Sequence, residues 1–108
     1  LRVIRLCRFI QDQEDRVGWG ALGNQLLRSA TSIGANLEEA QSAESKRDFI
    51  HKCAIAQKEA RETRYWLRLL VRSETLSPAR IQPLLEESSE IYAVLTGIIR
   101  SAKRSLNR

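Results

Sequence analysis

Histidine occurs once in these 108 residues, at position 51, and that scarcity bounds the chemistry open to the chain. A di-metal site in a helical protein takes inward glutamates together with Glu-x-x-His pairs. The donors on offer are Glu39, Glu59, Glu62 and an Asp48-x-x-His51 pair. One imidazole does not complete that constellation, and Glu59 and Glu62 fall beside the main apolar seam of their segment. Salt bridging is therefore the expected use of these carboxylates. Ser29, Ser32 and Cys53 are nucleophiles by type, but no histidine stands at a suggestive spacing and His51 falls on an outer face. Two cysteines and one histidine do not furnish a structural zinc site without carboxylates. Cys7 and Cys53 occupy apolar positions and read as buried small hydrophobes; a disulfide between them would need Cα atoms within about 7 Å. No catalytic residue, metal or cofactor is expected, and the chain reads as a non-enzyme. Asn36 and Glu39, three apart, are expected to form a structural polar layer instead, satisfying one another or reaching arginines of a neighbouring helix.

Helices must position these side chains. Hydrophobic residues make up 43% and charged residues 29%, and only five glycines and two prolines are present, too little turn chemistry for a many-stranded fold. Four apolar stripes of helical period predict helices over roughly 1–13, 21–42, 46–73 and 78–104. The first carries Val3, Leu6 and Ile10, widened by Ile4 and Cys7. The segment Val17-Gly18-Trp19-Gly20 reads as a connection. The second carries Leu26, Ala30, Ile33, Leu37 and Ala40, with small residues around Gly34 that would let a neighbouring helix come close. Ser45 reads as an N-cap with Asp48 as its capping-box partner. The third seam is Phe49, Cys53, Ala56, Ala60, Thr63, Leu67 and Leu70, an unbroken alternation of four and three. Ser77-Pro78 reads as the last N-cap. Behind it come Ile81, Leu84, Ser88, Ile91, Leu95, Ile98 and Ala102, with Pro83 expected to loosen the first turn or delay regular helix to Gln82. Short connections favour antiparallel neighbours, so residues 1–108 are expected to form one all-α domain, an up-down-up-down four-helix bundle. No apolar run approaches the ~18–20 residues of a membrane span and no signal segment opens the chain; the reading of both cysteines as buried thiols of a reducing compartment points to the cytoplasm.

The third helix carries a second stripe, Ile55, Glu59, Glu62, Trp66 and Leu69, beside the core stripe. A helix serving one bundle should be polar there. Gln57, Arg61, Arg64 and Arg68 line the other flank, so acidic and basic flanks could meet head-to-tail between subunits and close a ring. Solvated intrahelical pairs such as Lys58–Glu62 are the plainer account. The net charge of +5 is unevenly placed. Residues 1–10 hold Arg2, Arg5 and Arg8, and residues 100–108 hold Arg100, Lys103, Arg104 and Arg108, all without an acid, which leaves −2 for the remainder. In the expected topology these ends share a pole with Lys46, Arg47 and Lys52, partly offset by Glu38, Glu39, Glu44 and Asp48. Such a pole suits a phosphate backbone, in RNA or DNA. An adaptor meeting an acidic protein partner, with no nucleic-acid role, is the alternative.

The run Leu27-Arg28-Ser29-Ala30-Thr31-Ser32-Ile33-Gly34-Ala35-Asn36-Leu37-Glu38-Glu39-Ala40 resembles the motif of the 23S rRNA-intervening-sequence protein family, whose bacterial members are often called four helix bundle proteins. So does Asp48-Phe49-Ile50-His51-Lys52, followed by Lys58-Glu59-Ala60-Arg61-Glu62-Thr63-Arg64-Tyr65-Trp66-Leu67. The family signature often has Pro at the place of Gly34 and Gly at that of Ala40, which suggests a different branch. The resemblance implies a non-catalytic bundle. Through a related branch, the accessory variability protein of diversity-generating retroelements, it also implies a homo-oligomer, a pentameric ring, with a reverse transcriptase or other nucleic-acid protein as a partner.

Overall fold

The computed structural model describes residues 2–11, 19–73 and 76–107; for Ile10, Gln11 and Trp19 the description is of the backbone alone. Four helices follow one another: α1 (Arg2–Gln11), α2 (Trp19–Gln41), α3 (Lys46–Arg72) and α4 (Pro78–Leu106). The described residues contain no strand. Of the segment 17–20 expected as a connection, Trp19 and Gly20 already belong to α2, and Val17 and Gly18 lie outside the described residues. The caps stand where their residue types placed them. Ser45 Oγ accepts from the Asp48 amide at 3.0 Å, while the Asp48 carboxylate accepts from the Glu44 amide at 3.4 Å. That closes the box one residue early. Ser77 Oγ accepts from the Arg80 amide at 3.3 Å. Pro83 neither delays nor ends α4, which is helical from Pro78 onward. It lies near the N-terminus on an exposed position, so the lost bond to the Ala79 carbonyl leaves an acceptor that water can reach.

Cross-helix contacts fix the direction of each helix. Thr63 Oγ1 donates to Ser29 Oγ and Lys52 Nζ meets Glu39, which sets α2 and α3 antiparallel. Gln57 Nε2 donates to Thr96 Oγ1 at 2.7 Å and Lys46 Nζ donates to Ser105 Oγ, which does the same for α3 and α4. Arg2 reaches Glu87 at 3.9 Å, and the Arg80 guanidinium lies 3.9 Å from the centre of the Phe9 ring, so α1 runs against α4 as well. This is the up-down-up-down bundle. Its fourth side is only half built. Ten residues of α1 span about 15 Å, against about 43 Å for the 29 residues of α4. Above the start of α1 an apolar groove of about 600 Å³ opens between α2 and α4, lined by Val3, Ile4, Ile33, Leu37, Leu84 and Ile91 among others.

The interior divides into two clusters. The lower one joins Leu6 and Cys7 to Leu26, Leu67, Leu70, Leu76, Ile81 and Leu84. The upper one joins Ile33, Ala40, Cys53, Ala56, Ala60, Leu95 and Ile99. Between them lie the three polar residues buried among the described ones, one from each long helix: Ser29, Thr63 and Ser88. The seam of α3 is buried as the alternation predicts, with Phe49 half-buried at its start. The other two seams drift. In α4 it is Ile99 and not Ile98 that is buried, because roughly eighteen residues make five full turns and Ile99 comes back over Ile81. In α2 Ser29 takes the core position assigned to Ala30. Gly34 also departs from expectation: a Cβ there would meet nothing within 4 Å, so its smallness serves no close helix approach.

Candidate nucleic-acid interface

Five basic residues of α3 and α4 gather at one pole. Lys46 and Arg47 open α3, and Arg100, Lys103 and Arg104 lie in the last turns of α4. All five are exposed, and the Lys46–Ser105 hydrogen bond holds the two ends together. None of the five forms an ion pair among the described residues. Two of the four nearby acids are engaged: Glu39 binds Lys52 at 2.8 Å, and Asp48 receives the Glu44 amide, while Glu38 and Glu44 are exposed. The hydrogen bond that Lys52 donates to the Glu39 carboxylate, reinforced by the carboxylate's charge, raises the Lys52 pKa, so Lys52 stays cationic but is neutralised locally. Cations in the final turn of α4 also complement the helix dipole.

Arg2, Arg5 and Arg8 do not join that pole, contrary to the convergence expected from topology. The direction of α1 is as anticipated, but the helix is short, and Arg2 sits beside Glu87 midway along α4. Glu87 precedes Lys103 by sixteen residues, about 24 Å along the helix. Arg2 and Arg5 border a shallow depression with Arg80 and Pro83 at the other half of the molecule. Arg108 lies outside the described residues.

The charges on α3 are likewise used in a way the sequence did not reveal. Arg28 of α2 reaches across to both Glu59, at 3.4 Å, and Glu62. One guanidinium thus offsets part of the charge of the two acids inside the subunit, and Glu62 pairs with Arg28 in place of Lys58. Trp66 packs on the lower cluster, and Ile55 and Leu69 are half-buried. On the other flank Arg61 donates to the Tyr92 hydroxyl at 2.6 Å, with its guanidinium 5.4 Å above that ring. Arg64 and Arg68 border α4 near Gln82, Glu86 and Glu90 without an ion pair among the described residues. Of the charge complementarity expected for a head-to-tail contact, the acidic half is engaged within the chain, while the basic half makes no ion pair among the described residues.

Asn36 and Glu39 do not form a shared layer. Asn36 Nδ2 turns back to the Ser32 carbonyl at 2.9 Å, while Glu39 reaches Lys52 and no arginine. The polar layer that the bundle does contain is Ser29–Thr63–Ser88. Thr63 stands in the α3 core seam, a usable signal in the sequence, whereas Ser29 lies one position off the α2 seam through Ala30. His51 is exposed, as its phase required. Cys7 and Cys53 are free and buried in different clusters, and burial raises both thiol pKa values, which suppresses the reactive thiolate. Among the described residues no three His, Cys, Asp or Glu side chains are grouped to hold a metal, and no helix is long and apolar enough to cross a membrane.

Comparison with known proteins agrees with this architecture. Residues 1–97 match the family model described as 23S rRNA-intervening sequence protein. A solved structure from Bacteroides thetaiotaomicron, described as a protein with unknown function from the S23 ribosomal protein family, is 43% identical in sequence. The match covers 91% of this chain and 88% of that one, with a TM-score of 0.82. No functionally curated protein matches the chain.

Proposed function

The chain belongs to the 23S rRNA-intervening sequence protein family, and from that premise we propose that it is a non-catalytic, oligomeric bundle that binds RNA or DNA through a basic surface. The observation that carries this is the pole formed by Lys46, Arg47, Arg100, Lys103 and Arg104, five exposed cations on two antiparallel helices, none in an ion pair among the described residues. Phosphate contacts of this kind position a nucleic acid without reading its bases. The bundle offers no helix shaped for major-groove reading, so binding is independent of sequence. Assembly multiplies the pole, and we place the subunit contact on the α2-side flank of α3, around Ile55 and Leu69, in a pentameric ring.

Anisotropy of a labelled oligonucleotide tests the first part. Reversing Arg100, Lys103 and Arg104 to Glu should weaken binding roughly tenfold or more and flatten its salt dependence, since each lost phosphate contact lowers the slope by about 0.7–0.9. Unchanged affinity would remove the pole from the account. Light scattering tests the second: a ring requires about five times the 12.3 kDa chain mass, and a monomer at micromolar concentration would exclude it.

A further inference from the structure

The outer face of α3 holds a second basic surface, distinct from the pole, with an aromatic residue at its centre. A groove of about 540 Å³ runs there, lined by Lys58, Arg61, Arg64, Tyr65, Arg68 and Arg72, with Glu62 and Leu69 at its edge. We propose that this groove binds single-stranded nucleic acid, with a base stacked on Tyr65 and the arginines holding the phosphates on either side. The proposal rests on the nucleic-acid function above and gives that function a strand type and a second site.

Three observations favour this occupant. Helical phase sets Tyr65 nearly opposite the buried seam, and its side chain is 57% exposed, unusual for a large ring with no partner face of its own. The Trp66 ring packs against it in a T-shaped arrangement, with centroids 5.0 Å apart and planes at 71°, which steadies the ring and leaves at least one of its faces clear of Trp66. Then there is charge. Arg61, Arg64, Arg68 and Arg72 climb one side of the helix over about 16 Å, and Lys58 extends the series. None of these five cations makes an ion pair among the described residues. The one acid in the lining, Glu62, is already bound by Arg28. The groove is therefore electropositive over three turns, which a regularly charged polyanion matches.

The ring distinguishes a single strand from a duplex. Base–aromatic stacking needs an unstacked base, and it tolerates sequence because every base has a π-face. A duplex hides those faces and could use only the arginines. The position of Tyr65 between cations, and not beside them, is the feature that a purely electrostatic surface would lack.

The test compares binding of a single-stranded oligouridylate, the corresponding duplex, heparin and polyglutamate to the full chain and its variants, with circular dichroism to verify folding. Tyr65→Ala should weaken single-strand binding roughly tenfold and Tyr65→Phe should restore it, because stacking contributes about 1–3 kcal/mol per base. Heparin binding, which needs no stacking, should be unchanged by Tyr65→Ala. Single-strand binding equal in Tyr65→Ala and wild type, yet abolished by the Arg100, Lys103 and Arg104 reversal, would overturn this groove and leave the pole standing. Absence of any oligonucleotide binding by the wild type at low salt would overturn both. Polyglutamate bound as tightly as oligouridylate would instead identify an acidic protein as the occupant. A smaller assembly for Tyr65→Ala in light scattering would make the face a subunit contact, and either result would end the proposal.

Discussion

Ser29 and Thr63 show how much one pair of hydroxyls decides. Both are buried, and neither is left unsatisfied: Thr63 Oγ1 lies 2.9 Å from Ser29 Oγ and 2.9 Å from its own Glu59 carbonyl, while Ser29 Oγ lies 3.2 Å from the Leu26 carbonyl. A net hydrogen bond of this kind stabilises by about 1 kcal/mol, and removing one partner costs more than removing both. Ser29→Ala is therefore expected to lower stability by about 1 kcal/mol. Adding Thr63→Val should cost less than the two single changes summed, by about 0.5–1 kcal/mol. Urea denaturation of the four proteins checks this, and strict additivity would show that the two hydroxyls do not act together. Arg28 makes the same point on the surface. Its partners Glu59 and Glu62 were visible as a pair of acids one turn apart, but the cation that joins them comes from 31 and 34 residues away.

Among the helices, α2 is the one whose local composition and tertiary setting disagree. Its middle is rich in small residues, and Gly34 sits in the helix interior, where glycine is about 1 kcal/mol less favourable than alanine. A tight helix crossing would justify that, yet a Cβ at Gly34 would stand in open space beside the apolar groove. Gly34→Ala is accordingly expected to stabilise the protein by about 1 kcal/mol and to raise Tm by about 5 °C. A thermal melt followed by circular dichroism measures it. A fall in Tm would mean that something occupies the space beside Gly34 in solution, and repeating the melt over a range of protein concentrations would show whether that is another copy of the chain. By contrast α3 behaves as its sequence dictates, because its seam is continuous and both neighbours pack along its whole length.

Over the whole molecule the question is whether two core clusters make two folding units. They share α2, α3 and α4, each of which passes unbroken through the hydroxyl layer, so the halves should unfold together. Leu26→Ala in the lower cluster and Leu95→Ala in the upper should each cost about 2–5 kcal/mol, since both side chains are almost fully buried. Trp66 packs on the lower cluster alone. In a Trp19→Phe background, its fluorescence and the far-ultraviolet signal should therefore give the same midpoint in both variants. Helix loss in Leu95→Ala ahead of the Trp66 change would show that the upper half, which α1 does not cover, opens by itself.

The existence, order and direction of four helices were legible in the chain, as were both serine N-caps and the full buried face of α3. These depend on residues within a turn or two of one another, where periodicity and capping chemistry act directly. Four things were decided only by tertiary structure. Seam drift exchanged Ile98 for Ile99 and Ala30 for Ser29, because a straight helix departs from a seven-residue repeat over several turns. The basic ends separated because α1 covers half of the bundle. The acids Glu59 and Glu62 found Arg28 across a helix pair, and Arg61, Arg64, Arg68 and Arg72 were left without an ion pair among the described residues. Charge partners and exposure depend on which helices lie side by side and at what height, and no local pattern records either.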